Sequence, residues 1–169
     1  TVTGMVVPKP KAADDAPSAA TDLHAQFTAA ATAGQLSFTA PTKTYGGSAL
    51  SGELTYHVYV NTDAPLTGKV NAGSSAVVPV QAREGMNTFV VTLSNAAGAS
   101  PKARLSAYAG YDTPKSVDKL TLSVDAARRA DLTWTAPTAT EHGGFLGTLT
   151  YDLIRITGTD TTQVANGIS

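Results

Sequence analysis

Residues Leu36–Val60 read LSFTAPTKTYGGSALSGELTYHVYV, and Leu132–Arg155 read LTWTAPTATEHGGFLGTLTYDLIR. Both stretches begin with an alternating strand and stop at Ala-Pro, since proline cannot donate within a ladder. Both continue through a loop with a Gly-Gly pair into a second strand built on Thr-Tyr. Leu132 lies 96 residues beyond Leu36, and Tyr151 lies 95 beyond Tyr56. A period near 95 marks an array of whole domains rather than a solenoid of small repeats.

The segments between fit that frame. Leu23, Ala25 and Phe27 alternate with His24 and Gln26, the period-two signature of a strand with one face inward. The Ala-rich run Thr28–Ala33 is too short to nucleate a helix alone and reads as a turn. An edge strand is expected near Lys69-Val70, then strands at Ala76–Gln81, Phe89–Leu93 and Lys102–Tyr108. Some seven strands, with turn signals every eight to twelve residues, have the spacing of an antiparallel sandwich. Residues 21–110 are thus expected to be a complete sandwich and 111–114 a joint. Residues 115–169 are expected to be the first half of a second sandwich, without counterparts of the last three strands. Such a half exposes an apolar face and bare edges, which invites strand exchange with another chain. Residues 1–9 read as the last strand of a preceding domain, and Pro10–Ala20 as a linker.

Composition excludes several function classes. Charged residues make up 15%, against about 25% in an average soluble protein, and net charge is −1. No basic cluster exceeds Arg128-Arg129, so neither nucleic acid nor an anionic membrane is an expected partner. The absence of cysteine removes disulfides, thiolate metal sites and a Cys nucleophile. No apolar run approaches the roughly 20 residues of a membrane span, so direct membrane insertion is not expected.

Candidates for chemistry are sparse. Alternation turns His24 and His57 outward, and His142 sits in a loop, so no metal site is expected. No G-x-S-x-G, calcium loop or phosphate-cradling glycine loop is present. The expected outcome is no catalysis and no cofactor. Arg129-Ala130-Asp131 is near an R-G-D triplet, but it leads straight into the Leu132 strand and reads as a turn closure. Exposed aromatics suit sugar stacking, and five are candidates: Tyr45, Tyr59, Tyr108, Tyr111 and Phe145. Phe145 is the rough counterpart of Tyr45. The competing and favoured reading is that these rings pack the joint and the sandwich ends.

The pattern L-x-[FW]-x-A-P, a Gly-Gly loop, L-T-Y-x-[VL]-[YI] and N-T-F-V-V-T-L-S-N-A-A-G-A-S resembles fibronectin type III domains. It looks most like those strung along large secreted proteins of Bacteroidetes bacteria. The resemblance covers residues 21–110 fully and 115–169 in part. Trp134 matches the family's core tryptophan, replaced by Phe38 in the first copy. Phe89 stands where the family has a tyrosine whose hydroxyl bonds back to the backbone, which puts that corner bond in doubt. The resemblance implies an all-β immunoglobulin-like sandwich, an extracellular or cell-surface location and no catalysis. It further implies a spacer or display module whose partners are neighbouring domains of its parent protein. The alternative is an adhesion module that binds a glycan or host surface protein through end loops 42–52 and 138–147.

Overall fold

A computed structural model describes residues 13–169; the strand expected at residues 1–9 lies outside the described residues. Among the described residues there is no helix, and every strand pairing is antiparallel. The alternating runs become β1 (Thr21–Phe27), β2 (Ala33–Thr39), β3 (Glu53–Val60), β4 (Leu66–Asn71), β5 (Ser75–Gln81), β6 (Gly85–Asn95), β7 (Gly98–Ala99) and β8 (Ala103–Ala109). One sheet runs β1-β2-β5. The other runs β4-β3-β6, with β7 and β8 on the far edge of β6.

Side-chain period decides what lies between the sheets. Leu36 and Phe38 from β2 and Val78 and Val80 from β5 face Leu54, Val58 and Val60 of β3 and Phe89, Val91 and Leu93 of β6, all buried. Burying each large apolar side chain stabilises the fold by about 1.5–3 kcal/mol. Phe38 meets Tyr56 edge-on across the sheets, with ring centroids 5.6 Å apart. The Tyr56 ring in turn lies over Gly68, its direct partner on β4, where a Cβ would overlap it.

The corner between β5 and β6 is tied by an amide, not by a tyrosine hydroxyl. Asn87 is 1% exposed, and its Oδ1 accepts from the Arg83 amide (2.9 Å) and from Asn61 Nδ2 (2.8 Å). Its Nδ2 donates to the carbonyls of Arg83 (2.7 Å) and Gly85 (2.8 Å). Phe89 is wholly buried two residues on and contributes only its ring. At the other end, Ser100 is clamped to Leu93: its amide donates to the Leu93 carbonyl (2.7 Å), and its hydroxyl accepts from the Leu93 amide (2.9 Å).

Beyond Ala109 come two hairpins, each a separate two-stranded sheet. β9 (Asp118–Val124) pairs with β10 (Ala130–Thr135), and β11 (Tyr151–Thr157) with β12 (Asp160–Ile168). Asp125 closes the first turn by accepting from Arg129 through its amide (2.8 Å) and Nε (2.9 Å). The Arg129 amide is the chief reason that the Asp125 carboxyl lies below its ordinary range. Arg129-Ala130-Asp131 is therefore a turn closure running into β10. Trp134 meets Tyr151 at 5.1 Å, repeating the Phe38–Tyr56 contact.

Replacing Asn87 by alanine strands the Arg83 amide and two carbonyls in a buried corner. An unsatisfied buried group costs about 1–3 kcal/mol. We expect N87A to lower sandwich stability by that amount in urea titration, with the m-value unchanged.

Candidate functional site

The richest polar arrangement lies where the sandwich hands over to the hairpins. It grows from Gly110-Tyr-Asp-Thr-Pro114, the short segment after β8. Pro114 forms a bridge with Thr140, and Tyr111 with Phe145. The Glu141 amide donates to the Thr113 carbonyl (2.9 Å), and the Phe145 amide to the Gly110 carbonyl (2.9 Å). The loop before β11 is thereby zipped onto the joint through its backbone.

Asp112 sits at the centre, and its side chain is completely inaccessible to solvent. Its Oδ2 accepts from the amides of His142 (2.8 Å) and Gly144 (3.1 Å), and its Oδ1 from the Thr113 amide (2.7 Å). His142 Nδ1 stands 2.9 Å from Oδ1. Burial by itself pushes this carboxyl up. The His142 ring and the amides of Gly144 and His142 outweigh it, and the group lies well below the usual carboxylate range. The anion is thus held by donors 30 and 32 residues away in sequence.

Aromatic rings close the same region. His142 stacks on Tyr108 with centroids 5.5 Å apart and planes 13° apart. Tyr111 meets Phe145 edge-on at 5.6 Å. Gly144 fits because it has no side chain: a Cβ there would overlap the Tyr108 ring and come within 2.7 Å of the Asp112 Cβ. A cleft of about 610 Å³ opens beside this cluster, lined by β1 (His24, Phe27), β8 (Ser106, Tyr108) and the loop (His142, Phe145).

Of the five aromatic candidates, the structure gathers Tyr108, Tyr111 and Phe145 at the joint. Tyr45 lies in the β2–β3 loop, 43% exposed, and Tyr59 is half-buried on β3 opposite Val90. The expected match of Phe145 with Tyr45 is corrected. The positive-φ glycines Gly47 and Gly143 set a spacing of 96, which places Glu141 at Tyr45 and Phe145 at Ala49. His24, expected outward on its strand, and the loop residue His142 line one cleft, while His57 is half-buried on β3. Among the described residues no group of three or more His, Cys, Asp or Glu could hold a metal ion. Asp112 escaped sequence reasoning, because a lone acid in a Gly/Pro joint carries no pattern.

The stretch before β1, expected as a linker, shows the same docking from residue 13 onward. Ala16 and Pro17 are buried, Pro17 bridges Thr44, and the Tyr45 amide donates to the Ala16 carbonyl (2.7 Å).

No family model matches the chain, and no curated protein matches it. Solved structures do. Over 70% of this chain and 43% of the other, it is similar to the chicken CNTN1 FN1–FN3 domains, at 13% identity and TM-score 0.34. Over 67% of this chain and 99% of the other, it is similar to the third fibronectin III domain of the human KIAA0343 protein, at 12% identity and TM-score 0.36. The match thus spans under half of the first of these structures. The fold is fibronectin type III-like. Its own strand order carries that assignment: three strands, β1-β2-β5, packed on β4-β3-β6-β8.

The depressed carboxyl gives the joint a pH signature. A group with a lowered folded-state pKa lends stability above its unfolded value of about 3.9 and loses it as pH falls through the folded value. The joint should therefore hold from neutral pH through the ordinary carboxylate range and release only below it. Amide exchange at His142 and Gly144 checks this. Asp112→Asn should raise exchange at both amides already at neutral pH, while β2 and β6 stay protected.

Proposed function

We propose that this chain is a non-catalytic spacer and display module of a larger secreted or surface-attached bacterial protein. Residues 21–110 form one fibronectin type III-like domain, 111–114 the joint, and 115–169 the first part of a second domain. The observation that supports this reading is the joint. A short segment that merely connected two bodies would be solvated and polar. Here it is zipped by backbone bonds and locked by one buried carboxylate. Such a joint sets the angle between its neighbours, which is the mechanical task of a spacer. The flanking domains of the parent protein are then its principal partners.

The aromatic cluster supports a second reading, adhesion to a glycan or a host surface protein through the end loops. Tyr111 is 59% exposed beside Phe145, and the adjoining cleft has the volume of a small-ligand site. Three of its rings, however, are already engaged with each other or with His142, which favours the spacer.

The chain has no cysteine, so two introduced cysteines label it uniquely. Val77 and Ile156 are 59% and 71% exposed on either side of the joint. With spin labels at Val77→Cys and Ile156→Cys, diluted with unlabelled chain, a spacer gives one narrow distance distribution, and Asp112→Asn broadens it. A distribution already broad in the parent chain defeats the spacer reading. Specific retention on a glycan array, abolished by Tyr111→Ala, would favour adhesion instead.

A further inference from the structure

Asn166 and Gly167 form the sole Asn-Gly pair of the chain. Tyr151 pairs with Ile168 and Leu153 with Ala165, so both residues stand against Asp152 alone, a β-bulge in β12. Gly167 has a φ of 62°, a conformation that glycine adopts without strain. Asn166 is exposed, and among the described residues no hydrogen bond holds its side chain. The Gly167 amide donates to Asp152 Oδ1 at 3.1 Å.

The repeat explains why the bulge is open. β12 pairs with β11 as β4 pairs with β3, and β4 is an edge strand of the complete sandwich. By the Trp134–Tyr151 contact, Tyr151 stands where Tyr56 stands. Asp152 therefore takes the place of His57, whose β4 partner Thr67 is exposed. An exposed edge position is thus what this repeat provides in its complete form too.

We propose that Asn166 is a site of spontaneous covalent modification, deamidation through a cyclic imide, and that Asp152 holds the reaction back. The Gly167 nitrogen gives up its proton and attacks Cγ of Asn166. The new N–C bond closes a succinimide ring, and the side-chain nitrogen leaves as ammonia, carrying that proton. Water then opens the ring at either carbonyl. One opening gives aspartate, and the other gives isoaspartate, with the chain routed through the side-chain carbon. Nothing is oxidised or reduced, and water is the one co-reactant. Glycine suits the step because no Cβ shields the attacking nitrogen. The attack needs that amide free and deprotonated. A hydrogen bond to a carboxylate stabilises the protonated amide, and the adjacent negative charge disfavours its anion. Asp152 thus slows the reaction by holding the group that attacks.

The other asparagines are poor competitors, since each precedes alanine or threonine. Asn61 and Asn87 bond each other, and Asn95 donates to the Asp15 carbonyl and accepts from the Ala97 amide. The product matters to the hairpin. A carboxylate at position 166 stands opposite Asp152, and like charges across a ladder destabilise it. Isoaspartate also adds a carbon to the backbone inside the β11–β12 pairing. None of this depends on the spacer role.

Incubation of the intact chain in warm neutral buffer, followed by peptide mass spectrometry, tests this. Each conversion raises the mass by the difference between water and ammonia, and isoaspartyl methyltransferase detects the isoaspartate. Asn166 should convert several-fold faster than Asn71 or Asn95. Asp152→Ala should speed it several-fold further, toward the rate of a free peptide of residues 164–168. Asp152→Asn keeps an acceptor without the charge and should fall between. Amide exchange at Ile154 and Ile156 shows whether Asp152→Ala loosens the hairpin as a whole. Four results would overturn the proposal: Asn166 converting no faster than Asn71 and Asn95, the wild-type chain converting as fast as the free peptide, an unchanged rate in Asp152→Ala, or a rise there that only matches the rise in exchange at Ile154 and Ile156.

Discussion

A β-sheet with one apolar face must cover that face, and every other feature of this chain follows from how it does so. The cover is fixed at one aromatic contact across the sheets, Phe38 on Tyr56. The edge-on geometry puts the positive rim of one ring against the negative face of the other, worth about 0.5–1.5 kcal/mol beyond area. The register then follows. Tyr56 pairs with Leu93 and Phe38 with Ala76, so the large rings stand opposite small or branched neighbours rather than each other in-plane. A slip of one residue would turn Leu36, Phe38, Leu54 and Val58 to solvent together. The same contact recurs as Trp134 on Tyr151, where the surrounding cover is far thinner. The cross-sheet pair therefore needs only the two inner strands of each repeat, β2 with β3 or β10 with β11.

The polar corners are built on the opposite rule, that a buried polar group must find every partner. Asn87 shows how a side-chain amide holds a corner. A primary amide has two donors and two acceptor sites; the β5–β6 turn offers it two carbonyls and one amide hydrogen, and Asn61 Nδ2 supplies the fourth bond. Asn87 ties the turn through three bonds and reaches Asn61 through a fourth, and Phe89 serves the core alone.

Much of this was legible in the residues. Period-two alternation placed β3, β5 and β8 within a residue of their bounds, because a half-buried strand writes its burial directly into its sequence. By contrast, β2 begins three residues before the expected Leu36, and β6 runs four residues before and two beyond the expected Phe89–Leu93. The repeat identified β10 and β11 despite weaker burial. The bonds of Asp112 were illegible for a physical reason. Its donors are backbone amides, which every residue possesses, supplied from 30 residues away. Only His142 offers a side-chain signal, and a lone loop histidine has many ordinary uses. The Asn87 corner was illegible for the same reason, since three of its four bonds go to backbone. Alternation likewise turned His24 outward, but it could not show that His24 and the loop residue His142 face one cleft.

Comparing the two docked segments separates what is generic in the joint from what is particular. Pro17 on Thr44 and Pro114 on Thr140 are the same backbone bridge, and the carbonyls of Ala16 and Thr113 accept the equivalent amides of Tyr45 and Glu141. The next amide along the loop differs. At Gly46 it donates to the Asp14 carbonyl, whereas at His142 it donates to the Asp112 carboxylate. The equivalent amide thus meets a backbone acceptor three residues before Pro17 in one segment and a side-chain anion two residues before Pro114 in the other. The anion recruits a second amide and an imidazole that a single carbonyl could not hold. A carbonyl is fixed by its own strand, but a carboxylate can be placed by rotamer. The backbone bridge therefore seats the segment on the loop in both cases; the residue two before the proline is an aspartate in each, exposed at Asp15 and with its side chain buried at Asp112, so the two segments differ in where that carboxylate goes and not in which residue stands there.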